Sequence, residues 1–131
     1  MPEYERKENF MKLNSECIRG LLLSIEEICD FDTLWEYQQD DFESEFLAEY
    51  THDEILYHIR QAERAKLIED VHYYNGGSHV TIRDLTPKGH EFLANIRNDS
   101  IWKKVISKAP DASLPVLFEL AKDFAVKYFL G

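Results

Sequence analysis

Three observations predict a mostly α-helical protein with one small β-hairpin, of the α+β class. Thr51 to Lys66 carries apolar residues at helical spacing behind a good N-cap. Val71, Tyr73, Val80 and Ile82 alternate with polar residues on either side of Asn75-Gly76-Gly77-Ser78, a turn whose residues tolerate positive φ. Thr86-Pro87 then opens another helix, with Thr as N-cap and Pro at the first helical position. Helix, hairpin and helix in that order form the core of a winged helix-turn-helix, here followed by C-terminal helices. In that architecture one helix and the hairpin tip face the partner.

The remaining elements follow in chain order. A first helix is expected from about Ser15 to Cys29, capped by Asn14, with Ile18, Leu21, Leu22, Ile25 and Ile28 on one face. Between Asp30 and Tyr50 acids and aromatics alternate without a clean period. A short strand at Thr33–Tyr37 and a short helix at Phe42–Tyr50 are the expectations there. In the helix from Thr51, Asp53 and Glu54 favour the N-terminal dipole, and Ile55, Ile59 and Ala62 share the buried face, with Leu56 beside them. The helix opened by Thr86 should reach about Arg97. Asp99 is expected to cap a helix carrying Ile101, Trp102, Val105 and Ile106. After a break at Ala109–Ala112, a last amphipathic helix starts at Ser113 or Leu114. The division expected is an N-terminal extension at 1–10, a winged helix-turn-helix domain at 11–97 and a C-terminal helical extension at 98–131. That extension either packs on the domain or forms a dimer seam.

Charge narrows the function classes. The chain of 131 residues has a formal net charge of −10. Residues 1–100 hold 10 Lys or Arg against 22 Asp or Glu, net −12, and residues 101–131 hold 5 against 3, net +2. Twelve acids and no Lys or Arg fall between Gly20 and Ile59. Such a surface repels phosphate at long range. The first ten residues lack the apolar run of a signal peptide, and no stretch approaches the ~20 apolar residues of a membrane span. A cytoplasmic protein without a membrane partner is expected. Cys17 and Cys29 lie on one predicted helix, about 18 Å apart. That is far beyond the roughly 4.4–6.8 Å of a disulfide, so both read as reduced thiols.

Candidate contact residues come from the helix at Thr51 and from the hairpin. Opposite its apolar face that helix shows Tyr57, Arg60, Gln61 and Arg64. Arg suits phosphate and the guanine edge, Gln suits adenine, and Tyr suits sugar or phosphate. These are residue types that a helix in the major groove uses, and they are also ordinary solvent-facing helix residues. At the tip, Tyr74, Asn75, Ser78 and His79 would touch a minor groove or the backbone, with Arg83 the nearest cation. Asp53 and Glu54 sit at the end that would enter a groove first, which weighs against DNA. His58, at the edge of the buried face, reads as a hydrogen-bonded structural histidine. His72 and His79 straddle the turn and oppose each other if the strands pair that way, but two such ligands without a third are weak, and no metal site is expected. There is no Gly-rich phosphate loop, no GxSxG and no HExxH, so neither an enzyme nor a cofactor is expected.

The first helix and the two capped segments also resemble a known group. Met11-Lys12-Leu13-Asn14, Ile18-Arg19-Gly20-Leu21-Leu22, the run from Tyr50 to Ile59, Leu67-Ile68-Glu69, the run from Leu85 to Leu93, Asn95 to Asp99 and Ile101 to Lys104 carry the likeness. Together they resemble an uncharacterised family, a domain of unknown function, of small winged-helix proteins from Gram-positive bacteria and their prophages. The resemblance covers about Met11 to Gly131. It implies a winged-helix fold and a phage or mobile-element setting, and it supplies no activity. The chain departs from the family pattern at Ala65-Lys66-Leu67, where Ala-Gly-Leu is usual. Glycine there would serve the helix C-terminus, and lysine implies a different exit or some strain.

Two functions are expected to compete. The first is a DNA-binding winged-helix protein, a transcriptional regulator of phage or mobile-element origin, with duplex DNA as partner. The second is an acidic protein-interaction module, an adaptor, host-protein antagonist or DNA mimic, that takes a basic protein through Glu43, Glu45 and Glu49. The stripe of the last helix, with Leu117, Phe118, Phe124 and Tyr128, offers a homodimer seam or folds back on the first helix of its own chain.

Overall fold

The computed structural model describes residues 11–131, so the expected extension at 1–10 lies outside the described residues. Five α-helices and a three-stranded antiparallel sheet make up the described chain, which is mostly α with a small β component. In order they are α1 (Ser15–Ile28), β1 (Trp35–Gln38), α2 (His52–Arg64), β2 (Ile68–Tyr74), β3 (His79–Leu85), α3 (Pro87–Ile96), α4 (Asp99–Lys108) and α5 (Leu114–Leu130). A 3-10 turn at Asn75–Gly77 joins β2 to β3. Among the described residues no helix is long and apolar enough to cross a membrane.

Capping chemistry sets the helix boundaries. The Asn14 side chain accepts from the Glu16 and Cys17 amides at 2.9 and 3.2 Å and starts α1. Thr51 and Glu54 form a reciprocal box at the start of α2. The Thr51 amide donates to Glu54 Oε1 at 2.9 Å, and the Glu54 amide donates to Thr51 Oγ1 at 3.2 Å. Asn98, not Asp99, caps α4, with its side chain accepting from the Ile101 amide at 3.1 Å. Asp99 instead pairs with Arg19 at 2.8 Å.

The exit of α2 and the entry of α3 are one joint. Lys66 sits in the left-handed region at φ 63. Its amide donates to the Glu63 carbonyl, and the Leu67 amide donates to the Ala62 carbonyl, both at 2.9 Å. That pair of bonds is a Schellman ending, a motif that favours glycine at the lysine's place. Thr86 then ties the two helices together. Its hydroxyl donates to the Lys66 carbonyl at 2.6 Å and accepts from the Gly89 amide at 3.0 Å. Its own amide donates to the Leu67 carbonyl at 3.0 Å. Gly89 makes room for this carbonyl, because a Cβ there would stand 2.1 Å from the Leu67 oxygen.

The sheet runs in the order β1-β3-β2. Trp35 pairs with Ile82 and Ile82 with Val71; Tyr37 pairs with Val80 and Val80 with Tyr73. These residues share the inner face, yet exposure grows toward β2. Val80 and Ile82 are fully buried, Val71 is half-buried and Tyr73 is 41% exposed. The strand expected at Thr33–Tyr37 forms slightly later, at Trp35–Gln38. The helix expected at Phe42–Tyr50 does not form. That stretch is a series of tight turns, with the Leu47 amide donating to the Ser44 carbonyl and the Tyr50 amide to the Leu47 carbonyl, each at 3.2 Å.

One apolar cluster joins α1, the sheet and all the later helices, from Cys17 through Trp35, Ile59 and Phe92 to Trp102, Leu117 and Ala125. Arg19 draws α4 onto α1. It donates to the Ile96 and Arg97 carbonyls at 2.9 Å each and lies over the Trp102 ring at 5.4 Å. The Trp102 indole donates to Glu16 at 3.0 Å. The last helix α5 packs on α3 and α4 rather than on α1.

Candidate functional site

The exposed side of α2 carries Arg60 and Arg64 in the open, with Tyr57 and Gln61 half-buried. Tyr57 leans edge-on against the His58 ring at 5.3 Å. The hairpin turn does not project freely. Asn75, Gly76 and Gly77 take φ of 53, 69 and 97, which folds the turn back so that Gly77 lies against Leu56 of α2. Tyr74 and Asn75 remain exposed, Ser78 is half-buried, and its hydroxyl donates to the Asn75 carbonyl at 3.1 Å.

Two of the expected contact residues are already engaged within the chain. His79 Nε2 lies 2.6 Å from Glu36 Oε2, diagonally across β1 and β3. Arg83 donates to the Asp30 carbonyl at 3.2 Å and to the Phe31 carbonyl. It lies part-way along β3 and braces the loop before β1, at the end of the sheet away from the turn. The register corrects the idea that His72 and His79 face each other. His72 pairs with Thr81, and His79 pairs with Tyr74, their rings 5.1 Å apart.

His58 is 2% exposed and has a structural role. Nδ1 lies 2.7 Å from the Glu54 carbonyl, and Nε2 lies 2.8 Å from the Asn14 amide. The carbonyl only accepts and the amide only donates, so the proton sits on Nδ1 and the ring is neutral. Burial lowers its pKa from the ordinary value, with the Glu54 contacts opposing. This bond holds the start of α1 to α2.

Around the N-terminal end of α2 the chain gathers carboxylates. Glu43, Glu45, Glu49 and Asp53 are all exposed, as are Asp40 and Asp41. The turns of 41–50 are held from beneath. Leu47 is buried, Phe42 packs edge-on against Tyr37 at 4.8 Å, and the Phe46 carbonyl crosses α1 where Gly20 has no side chain. The Tyr37 hydroxyl lies 2.6 Å from His52 Nδ1 and fixes β1 to the first turn of α2. Burial raises the Tyr37 hydroxyl pKa, with Asp40 and Asp53 adding to it. Burial, with Glu54 and Glu49 adding, likewise pushes the Cys17 thiol up to about 12, so it stays protonated. Between the turns and α2 lies a groove of about 400 Å³. Its floor is Tyr37, Phe42, Leu47 and Ile55, and Glu43 and Glu45 stand on its rim. The sequence displayed the acids; the groove of mixed polar and apolar lining beside them arises from chain segments that only the fold brings together.

Of the expected dimer-seam residues, Leu117 is fully buried in its own chain and lies on no outer surface. Phe118 and Phe124 are half-buried, and Tyr128 is 49% exposed.

A sequence family described as Hypothetical protein (DUF2513) matches residues 12–115. An uncharacterized protein of Haemophilus influenzae is 31% identical over 117 residues, which cover 86% of this chain and 93% of its own length. No solved structure matches.

Proposed function

The chain belongs to the DUF2513 family of hypothetical proteins, and on that premise we propose that it is a winged-helix protein-interaction module that docks a basic partner on its acidic face. The element order and the strand order β1-β3-β2 support the winged-helix reading, with α2 as the recognition helix and the β2–β3 turn as the wing. The observation that carries the partner assignment is the set of exposed carboxylates that precedes and opens α2, two of which line a groove with Phe42, Leu47 and Ile55. Glu43 and Glu45 would take Lys or Arg side chains, and Phe42, Leu47 and Ile55 would take an apolar one. Complementary charge of this kind speeds association and fixes register, while buried apolar contact supplies much of the affinity. A phage or mobile-element setting suits such a module, whose target would be a host protein with a basic surface.

A titration with a fluorescent peptide rich in Lys, Arg and Leu tests this reading. Wild-type protein binds it saturably, and affinity falls with salt. Replacing Glu43, Glu45 and Glu49 together by Lys weakens binding by at least about tenfold without lowering the melting temperature. Unchanged affinity in that variant removes this face from consideration.

Duplex DNA is the second reading. It is favoured by Arg60 and Arg64, four residues apart and both exposed on α2. The engagement of Arg83 and His79 within the chain leaves these two cations with little support.

A further inference from the structure

A second pocket lies at the opposite end of α2, where charge has the other sign. The end of α2, the start of α3 and the start of α5 enclose about 310 Å³. Arg64, Lys66 and Lys88 stand on its rim, and Phe92, Leu114 and Phe118 line its apolar side. Among the described residues no Asp or Glu lines it, although the chain carries 25 acids against 15 Lys and Arg. Lys88 Nζ lies over the Phe118 ring at 5.3 Å, and Lys122 Nζ at 5.8 Å. Two ammonium groups therefore crowd one aromatic ring, with no carboxylate within the pocket to neutralise them. The rim is also held in place. The Thr86 hydroxyl bond to the Lys66 carbonyl and the Schellman ending fix Lys66 relative to α3.

We infer that this pocket is a binding site for a compact aromatic anion. The ring of the ligand lies against the half-buried Phe118, above the buried Phe92 and Leu114. Its carboxylate or phosphate sits between Arg64, Lys66 and Lys88, where charge-assisted bonds are strong. The volume is at the lower end of ligand pockets, about 300–1,000 Å³, and suits one fused ring system with one anionic group. Lys88 exchanges its contact with the Phe118 face for the anion. The site is independent of the acidic groove, which lies at the other end of α2.

The test uses the full chain and 1-naphthyl phosphate as probe, with 1-naphthol and inorganic phosphate as controls, followed by calorimetry and by amide shifts in NMR. The inference expects saturable binding of 1-naphthyl phosphate, with the largest shifts at Leu67, Phe92 and Phe118. It expects each control to bind at least about tenfold more weakly. Lys66→Gly removes a rim cation while relaxing the backbone at φ 63, so its loss of affinity does not arise from unfolding. Lys66→Gly combined with Lys88→Gln should weaken binding by at least about tenfold. Absence of saturable binding, equal binding of inorganic phosphate, or unchanged affinity in the double variant each overturns the assignment.

Discussion

Lys66 ends α2 with a long side chain at a backbone position that suits none. Its φ of 63 lies in the left-handed region, where a Cβ costs roughly 1–2 kcal/mol. Lys66→Gly should therefore stabilise the protein by about 1 kcal/mol and raise the melting temperature by roughly 3–6 °C. Thermal denaturation followed by circular dichroism checks this, and an unchanged or lower midpoint means that the lysine side chain contributes packing that offsets the strain. The position was marked by the family resemblance, whose pattern has glycine where lysine stands here. His58 was half legible. Its place at the edge of an apolar face marked it as structural, but its bond to the Asn14 amide, 44 residues away, was not visible. Burial lowers its folded-state pKa below the ordinary 6.5. The unfolded chain then binds more protons than the folded one as the pH drops through that window. The stability that neutral His58 contributes is complete above about pH 6.5 and is lost as the pH falls toward the lowered folded value. Melting temperature measured against pH should fall less steeply in His58→Gln than in the wild type across that window. Parallel curves would mean that His58 does not titrate differently on folding.

Elements joined by local chemistry were the most legible. Thr51, Thr86 and the Asn75–Ser78 turn act within a few residues, and all fall where the sequence places them. Elements that depend on distant partners were not. The turns at 41–50 replace an expected helix because Leu47 is the only fully buried side chain among them and because α1 accepts a carbonyl at Gly20. Phe42, Phe46 and Tyr50 would share one face of a helix at i, i+4 and i+8 spacing, so periodicity alone did not exclude one there. Arg83 was read as the cation nearest the turn and a candidate contact residue. Its actual partners, Asp30 and Phe31, come from the loop before β1, more than fifty residues away. For Leu117 the sequence left open a dimer seam or packing within the chain, since the helices against which α5 packs, α3 and α4, cannot be identified from periodicity alone. The contact between α2 and α3 gives the sharpest prediction at this scale. Gly89→Ala must move the Leu67 carbonyl and should destabilise the protein by about 3 kcal/mol, read from urea denaturation. A change within about 0.5 kcal/mol would show that the joint is looser than its hydrogen bonds indicate.

Across the whole molecule, α2 joins two ends of opposite character. Its N-terminal end borders a groove lined by Glu43 and Glu45, and its C-terminal end carries Arg64 toward a pocket with Lys66 and Lys88. The motifs that carry the family resemblance serve mainly as joints between these ends. Arg19 meets Asp99 and Trp102, Gly20 meets Phe46, His58 meets Asn14, and Gly89 meets Leu67. The proposed interaction therefore rests on the surface between the joints, where the balance of charge distinguishes the two partner classes. A net charge of −10 repels DNA at distance and attracts a basic protein. The most direct measurement is fluorescence anisotropy of a labelled random-sequence duplex of about 20 base pairs at low salt, beside the basic peptide in the same buffer. The acidic-face account predicts saturable binding of the peptide and none of the duplex. Saturable, salt-sensitive binding of the duplex that is abolished by Arg60→Glu with Arg64→Glu would contradict it.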